Sequence, residues 1–283
     1  MQHDFLYCGA SAEASSSYLI GMEPGRGGSG IISFLQNRLG EPAVMKEHFT
    51  MYEGKVLPDD ESSKEFDCLK KMGMLIGHYK CTHHDEHYSS ESISLQAYIP
   101  GEALHHYLIQ DDTGPLVKYK LLTEEKKIKV GIALARGLKN VLDKGITHGD
   151  VTPKNIQIQE NAKAQITATF IDFGLSQIEK SPLLYEQREF ANYYEAPELL
   201  QACHLHKQGM PQAYPYSDKS DIYALGVIFK DIGIAPNLAR KMTHKNPKMR
   251  PDIKEVMAAL SKELKTLEEM YEVDDDPKVG WVP

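Results

Sequence analysis

Two periodicities divide the chain. In its first third, short apolar runs sit between glycines and polar turns, and Tyr18–Met22, Ile31–Leu35 and Ala43–Phe49 read as strands. Asp59, Asp60 and Glu61 suit the positive end of a helix dipole, which predicts a helix from about Asp59 to Met72. The polar stretch from Cys81 to Ser92 reads as a loop, Ile93–Ile99 as a further strand, and Pro100-Gly101 as a turn. Beyond it the helical period takes over, in Ile128–Leu142, Pro197–Ala202, Ser220–Lys230 and Asp252–Tyr271. Strands first and helices afterwards indicate an α+β fold with a small antiparallel β-rich lobe and a larger, mostly α-helical lobe. The expected boundaries are an arm over 1–17, lobes over 18–99 and 100–271, and an acidic tail over 272–283.

At 283 residues the chain is long enough for such a pair of lobes, and 41% hydrophobic with 25% charged residues excludes disorder or fibrous repeats for its bulk. A net charge of −8 argues against a nucleic-acid partner and favours a protein or small-molecule one. No apolar run reaches membrane-spanning length and no secretory leader is visible. The four cysteines, Cys8, Cys68, Cys81 and Cys203, lack framework spacing and read as free thiols of a cytoplasmic protein. The stretch Cys81-Thr82-His83-His84-Asp85-Glu86-His87 has metal-binding side chains, but nothing fixes their geometry, so a solvated loop is the expectation.

Candidate chemistry sharpens the picture. Gly25, Gly27 and Gly30 form a G-x-G-x-x-G followed by strand-like residues, with Ile32 just beyond, which predicts a strand–loop–strand flap able to close over phosphates. Lys46, in the apolar run Ala43-Val44-Met45-Lys46, needs anions around its ammonium; Glu65 on the next helix is the favoured carboxylate, with Glu61 the alternative. Then come His148-Gly149-Asp150-Val151-Thr152-Pro153-Lys154-Asn155 and Ile171-Asp172-Phe173-Gly174, with a short β-hairpin expected between them. Phosphoryl transfer requires an oxygen base for a hydroxyl and oxygen ligands for a metal, and Asp150, Asn155 and Asp172 supply both in order.

With Ala196-Pro197-Glu198, Asp221 through Gly226 and Arg250 added, the chain resembles the eukaryotic-type protein kinases, with Ser/Thr specificity expected, over about residues 18–265. The resemblance implies a two-lobed protein-kinase-like fold and ATP and Mg²⁺ as cofactors. Gly25, Gly27 and Gly30 would cover the nucleotide phosphates. Lys46, held by Glu65, would contact them, Asp150 would be the base, and Asn155 and Asp172 the Mg²⁺ ligands. It further implies that Gln96 is the gatekeeper, that the Ala97 and Ile99 backbone reads adenine, and that Ile32, Val44 and Gln157 line the base. It also implies an ion pair between Glu198 and Arg250.

Departures are informative. Gly149 replaces the arginine that normally precedes the catalytic Asp, and Thr152 replaces a lysine whose charge Lys154 would supply. The stretch Glu198 to Asp221 is long and Asp221 to Arg250 short, leaving no room for the customary docking helix; the resemblance is to a compact variant, some bacterial effector kinases included. A protein substrate, with docking through residues 203–219, is therefore expected, and no membrane partner. The alternatives are a weakly catalytic binding scaffold and a small-molecule kinase of the aminoglycoside or choline kinase type, whose H-G-D the loop shares.

Overall fold

The computed structural model describes residues 18–20, 25–27, 30–37, 39–52, 55–56, 60–84, 88–108, 123–178, 193–210 and 217–274. The expected arm over 1–17 lies outside them. The chain divides into two compact units, residues 1–99 with 172–178 and residues 100–171 with 179–283.

In the first unit, β1 (Tyr18–Ile20), β2 (Gly25–Gly27), β3 (Gly30–Asn37), β4 (Pro42–Tyr52) and β5 (Lys55–Val56) precede helix α1 (Asp60–Met72). After it come β6 (Leu75–His84) and β7 (Tyr88–Ala97). Among the described residues these strands form one antiparallel seven-stranded sheet in the order β1-β3-β4-β7-β6, with β2 also on β3 and β5 on β4. Strand alternation gives β4 two different faces. Met45 packs with Leu35, Ile93 and Leu95 in an apolar cluster. The intervening Lys46 and His48 are buried too, and His48 meets Phe66 of α1 edge-on at 4.9 Å between ring centroids.

Residues 81–84 and 88–92 are not the loop that their polarity suggests. They form the distal parts of β6 and β7, paired as Lys80↔Ser92, His83↔Ser90 and His84↔Ser89. The inward positions carry serines instead of apolar residues: Ser89, Ser90 and Ser94 are buried. Ser89 is tied into this end of the sheet, since His84 Nδ1 lies 2.9 Å from its Oγ and Thr50 Oγ1 donates to its carbonyl at 3.2 Å, whereas Ser90 Oγ is buried without a hydrogen-bond partner among the described residues.

The second unit opens with β8 (Glu102–Ala103), α2 (Leu104–Leu108) and α3 (Glu124–Asp143). Thr123 caps α3 by accepting from the Lys126 N–H at 3.2 Å, and Glu124 and Glu125 complement its dipole. Next are β9 (Ile146–Thr147), then β10 (Ile156–Glu160) and β11 (Ile166–Phe170), a hairpin that joins β8 in a three-stranded sheet. Helices α4 (Pro197–Lys207), α5 (Asp218–Ile232), α6 (Pro236–Met242) and α7 (Ile253–Asp274) complete it. A reciprocal cap between Ser217 and Ser220 starts α5, and Ile222, Leu225, Ile228 and Phe229 are fully buried along it. The last helix buries one face in its own unit: α7 lies on α3, with Ile253, Val256 and Leu260 buried. That helix continues to Asp274, into the stretch expected as a tail. Between Ile232 and Arg250 the chain has room only for α6 and the 3-10 turn Pro247–Met249.

Candidate functional site

Within the first unit the glycine-rich run does form a strand–loop–strand, with Gly25 opposite Ile32 and Gly27 opposite Gly30. Gly30 has a second reason to be glycine: a Cβ there would stand 2.1 Å from the Glu47 carbonyl oxygen, so any side chain would push β3 off β4. Lys46 faces Ile32 on one neighbour and Ser94 on the other. Its Nζ, almost fully buried, donates to Glu65 Oε1 at 2.9 Å and Oε2 at 3.0 Å and to Asp172 Oδ1 at 2.9 Å. Burial alone would depress the lysine's pKa; the Asp172 and Glu65 carboxylates more than reverse this and hold it above its ordinary value. Glu65 reaches Lys46 because Phe66, Cys68 and Leu69 bury the same side of α1. Asp172 sits at φ 61°, in the left-handed region that a residue with a Cβ enters only when its surroundings hold it there.

The other residues expected in this unit lie on the same strands. Val44 is half-buried between Phe34 and Gln96 in the ladder, and Gln96, also half-buried, donates from Nε2 to Ser94 Oγ at 2.9 Å. The Ala97 N–H is committed to the Met74 carbonyl at 2.8 Å, so its carbonyl is the group it can offer a ligand. Ile99 lies two residues past β7, at the end of this stretch of the unit.

In the second unit the loop after β9 is fixed from below by Asp221 of α5. Its buried carboxylate accepts from the His148 N–H at 2.7 Å and the Gly149 N–H at 3.0 Å. Gly149 has φ 76°, which glycine adopts without a steric penalty. His148 is itself buried; Nδ1 accepts from the Asp150 N–H at 3.3 Å, so Nε2 carries the proton and donates to the Ile171 carbonyl at 3.2 Å. Asn155 donates from Nδ2 to Asp150 Oδ2 at 2.7 Å and to the Asp150 carbonyl at 3.0 Å. That leaves Asn155 Oδ1 as the atom to meet a cation. Lys154 is exposed on the 3-10 turn Pro153–Asn155, and Gln157 is half-buried on β10.

Asp150 also lines an open cleft with Thr152, Tyr194, Leu199 and Ser220. Tyr193 and Tyr194 are tied to Asp231 at the end of α5; Tyr193 Oη lies 3.4 Å from its Oδ1. Burial and the neighbouring carboxylate raise the Tyr194 pKa. Glu198, at the start of α4, takes both arms of Arg250 at 2.7 Å, and the Arg250 guanidinium lies over the Tyr223 ring at 4.8 Å.

The structure thus brings Lys46, Glu65 and Asp172 together in one unit and Asp150 with Asn155 in the other. Sequence reasoning missed His48 and Ser94, both buried beside Lys46, and the Asp231 anchor. The signal for His48 was its place two residues after Lys46, on the same face of the strand. Among the described residues no group of three or more His, Cys, Asp or Glu side chains could hold a metal by itself. Neither does any helix among them have the length and apolarity to cross a membrane.

The family model of the protein kinase domain matches residues 18–273. The chain is similar to the leucine-rich repeat receptor-like protein kinase PXC2 of Arabidopsis thaliana, 25% identical over 216 residues that cover 74% of this chain and 20% of that protein. It is also similar to mitogen-activated protein kinase 11 of the same plant, 24% identical over 229 residues, 78% of this chain and 54% of that one. A third relative is serine/threonine-protein kinase atg1 of Dictyostelium discoideum, 25% identical over 190 residues, 62% of this chain and 26% of that protein. The chain therefore spans between a fifth and about half of the length of these relatives.

Proposed function

The chain belongs to the protein kinase family, and from that premise we propose that it transfers the γ-phosphoryl group of ATP to Ser/Thr hydroxyls of a protein substrate. The observation that carries the reading is Lys46, a buried ammonium 2.9 Å from carboxylates on both α1 and the Asp172 segment. Burying a lysine this deeply is unfavourable unless its charge is used, and a polyphosphate is the natural further partner for it.

In this reading Lys46 orients the α- and β-phosphates and Glu65 fixes Lys46. Gly25, Gly27 and Gly30 offer backbone N–H groups to the phosphates, and Ile32, Val44, Gln96, Ala97, Ile99 and Gln157 receive the base. Asp150 orients the substrate hydroxyl and accepts its proton as the new O–P bond forms and the bond to the ADP oxygen breaks. Asn155 holds the carboxylate in position through the 2.7 Å bond to Oδ2. Lys154 is the cation nearest in sequence to balance charge on the transferring group, in place of the lysine absent at Thr152. Mg²⁺ would neutralise phosphate charge, with Asn155 and Asp172 as its protein ligands. Their hard oxygens suit it, and this ion takes few protein ligands because it keeps waters and phosphates.

Tyr194, ahead of Ala196-Pro197-Glu198, and the serine/threonine kinases among the relatives support the hydroxyl preference. Cys68 and Cys203 are buried, and burial pushes the Cys68 thiol up to about 12, which keeps it an unreactive thiol; a cytoplasmic setting is part of this reading. Docking of a protein partner through residues 203–219 draws on the exposed His204, Gln208 and Met210; residues 211–216 lie outside the described ones.

The test is incubation with Mg-ATP and a Ser/Thr/Tyr peptide library, read by mass spectrometry. Asp150→Ala should lower transfer by about a hundredfold to ten-thousandfold, the contribution of a positioned general base. A folded Asp150→Ala protein with undiminished transfer, or label confined to tyrosine or to small molecules, overturns the assignment.

A further inference from the structure

Beside Lys46 lies a second buried polar chain that the transfer reaction does not require. His48, two residues along β4 on the same face, is 4% exposed. Its Nε2 lies 2.8 Å from Ser94 Oγ on β7, and its Nδ1 approaches Glu65 Oε2 at 3.5 Å. Ser94 Oγ in turn accepts from Gln96 Nε2 at 2.9 Å. Two proton arrangements fit these contacts, because a serine hydroxyl has two acceptor lone pairs and could also take a proton from Nε2. The one that turns an N–H toward the Glu65 carboxylate, which can only accept, puts the hydrogen on Nδ1. Nε2 is then an acceptor, and the Ser94 hydroxyl, accepting from Gln96, gives it its proton. Donors and acceptors run in one direction, from Gln96 through Ser94 and His48 to Glu65, where they meet the hydrogen bonds from Lys46.

We propose that His48 is a positioning residue of the phosphoryl-transfer site: as a neutral imidazole protonated on Nδ1, it links Gln96 and Ser94 on β7 to Glu65 on α1 and so holds the Glu65 carboxylate against Lys46. The 3.5 Å approach to Glu65 is longer than a full hydrogen bond. It acts as an oriented N–H dipole in a buried setting, where such a dipole is weakly screened. Phe66 fixes the ring from the side, edge-on at 4.9 Å. The arrangement also gives Gln96 a role besides shape: its amide is the far end of the chain that sets Glu65, so the base-facing strand and the Lys46–Glu65 pair are coupled. The kinetic half of the inference rests on the proposed kinase activity, while the protonation half does not.

The experiment therefore has two arms on the full chain. Uniformly ¹⁵N-histidine-labelled protein is read by two-bond ¹H–¹⁵N correlation, with the His48 signals assigned by their loss in His48→Gln. The expected result is the Nδ1–H tautomer, and the Nε2–H tautomer overturns the proposal. In the second arm, kcat/KM for ATP is measured in His48→Leu and Ser94→Ala. Each should fall by about tenfold to a hundredfold, the effect of a small misplacement of a reacting group. His48→Gln, which can still donate and accept, should recover most of it. Adding His48→Leu to Glu65→Gln should cause no further fall, because the residue acts through Glu65. Unchanged kinetics in Ser94→Ala and His48→Leu, or full additivity with Glu65→Gln, overturns the proposal. If His48→Leu does not fold, Ser94→Ala decides the kinetic arm alone. An inactive wild type would sink the kinase reading and leave the tautomer to judge the His48 contact by itself.

Discussion

Lys46 and His48 show opposite outcomes of burial two residues apart. The lysine has two carboxylates within 3 Å and keeps its charge, whereas burial, with the Lys46 ammonium adding to it, pushes the His48 pKa down from 6.5 to about 3. Facing the ring are Lys46 on its own strand, Glu65 on α1, Ser94 on β7, His78 and the Asp172 carboxylate; that carboxylate opposes the shift without reversing it. The sign of the linkage follows. Between pH 6.5 and about 3 the unfolded chain binds a proton at His48 that the folded chain refuses, so stability falls as pH falls through this window. The slope is up to about 1.4 kcal/mol per pH unit at 25 °C. From pH 7 to pH 5, urea unfolding of the wild type should lose about 2 kcal/mol more than that of His48→Gln; parallel losses would mean that His48 protonates freely in the fold. The Lys46–Glu65 pair was legible in the sequence because a lysine in an apolar strand needs a carboxylate beside it. His48 and Ser94 were not, because a polar residue in a strand looks solvent-facing until the register puts the polar faces of β4 and β7 under one helix.

At the level of elements, the start of α1 was legible in Asp59–Glu61, while α3 and α5 begin ahead of the expected Ile128 and Ser220 because their caps, Thr123 and Ser217, precede the apolar period. These caps are local signals with local causes. The β6–β7 hairpin was hidden for the opposite reason: its pairing is secured across strands by serines and histidines, and no local pattern reports that. The Glu198–Arg250 pair spans elements too, but the family resemblance implied it. The guanidinium is wholly buried, its Nε donates to the His244 carbonyl at 2.8 Å and Nη1 to the Lys219 carbonyl at 2.8 Å, besides both contacts to Glu198. Arg250→Ala would strand a carboxylate and three carbonyls at once, the Lys245 carbonyl being the third. The expected loss is about 3–5 kcal/mol in chemical denaturation, against roughly 1 kcal/mol for removing the cap with Ser217→Ala. Arg250→Lys should recover little, since a single ammonium cannot reproduce the forked contact. A loss for Arg250→Ala no larger than that of the cap variant would mean that water replaces the arginine and the pair does not hold α4 to the turn before α7.

At the level of the whole chain, the groups assigned to the nucleotide phosphates through Lys46 belong to one compact unit and the assigned base to the other, while the family match runs through both. Lobe composition was legible from the switch of hydrophobic period, whereas the return of residues 172–178 to the first unit was not, because it depends on Asp172 bonding Lys46 across 126 residues of chain. Binding and catalysis should therefore separate by variant. A non-hydrolysable ATP analogue with Mg²⁺ at about a hundred times its Kd stabilises a folded protein by about 2.7 kcal/mol. For a chain of this size that is a rise of roughly 5–10 °C in Tm. Asp150→Ala should keep the whole rise, because the proposed base meets the hydroxyl and not the nucleotide. Lys46→Ala should lose most of it. Its unliganded Tm will fall as well, because Glu65 and Asp172 are left facing one another without the ammonium, so the quantity to compare is the shift within each variant. A full shift in Lys46→Ala would remove the lysine from the nucleotide site, and a lost shift in Asp150→Ala would make Asp150 a binding group, with the proton acceptor to be sought elsewhere in the loop.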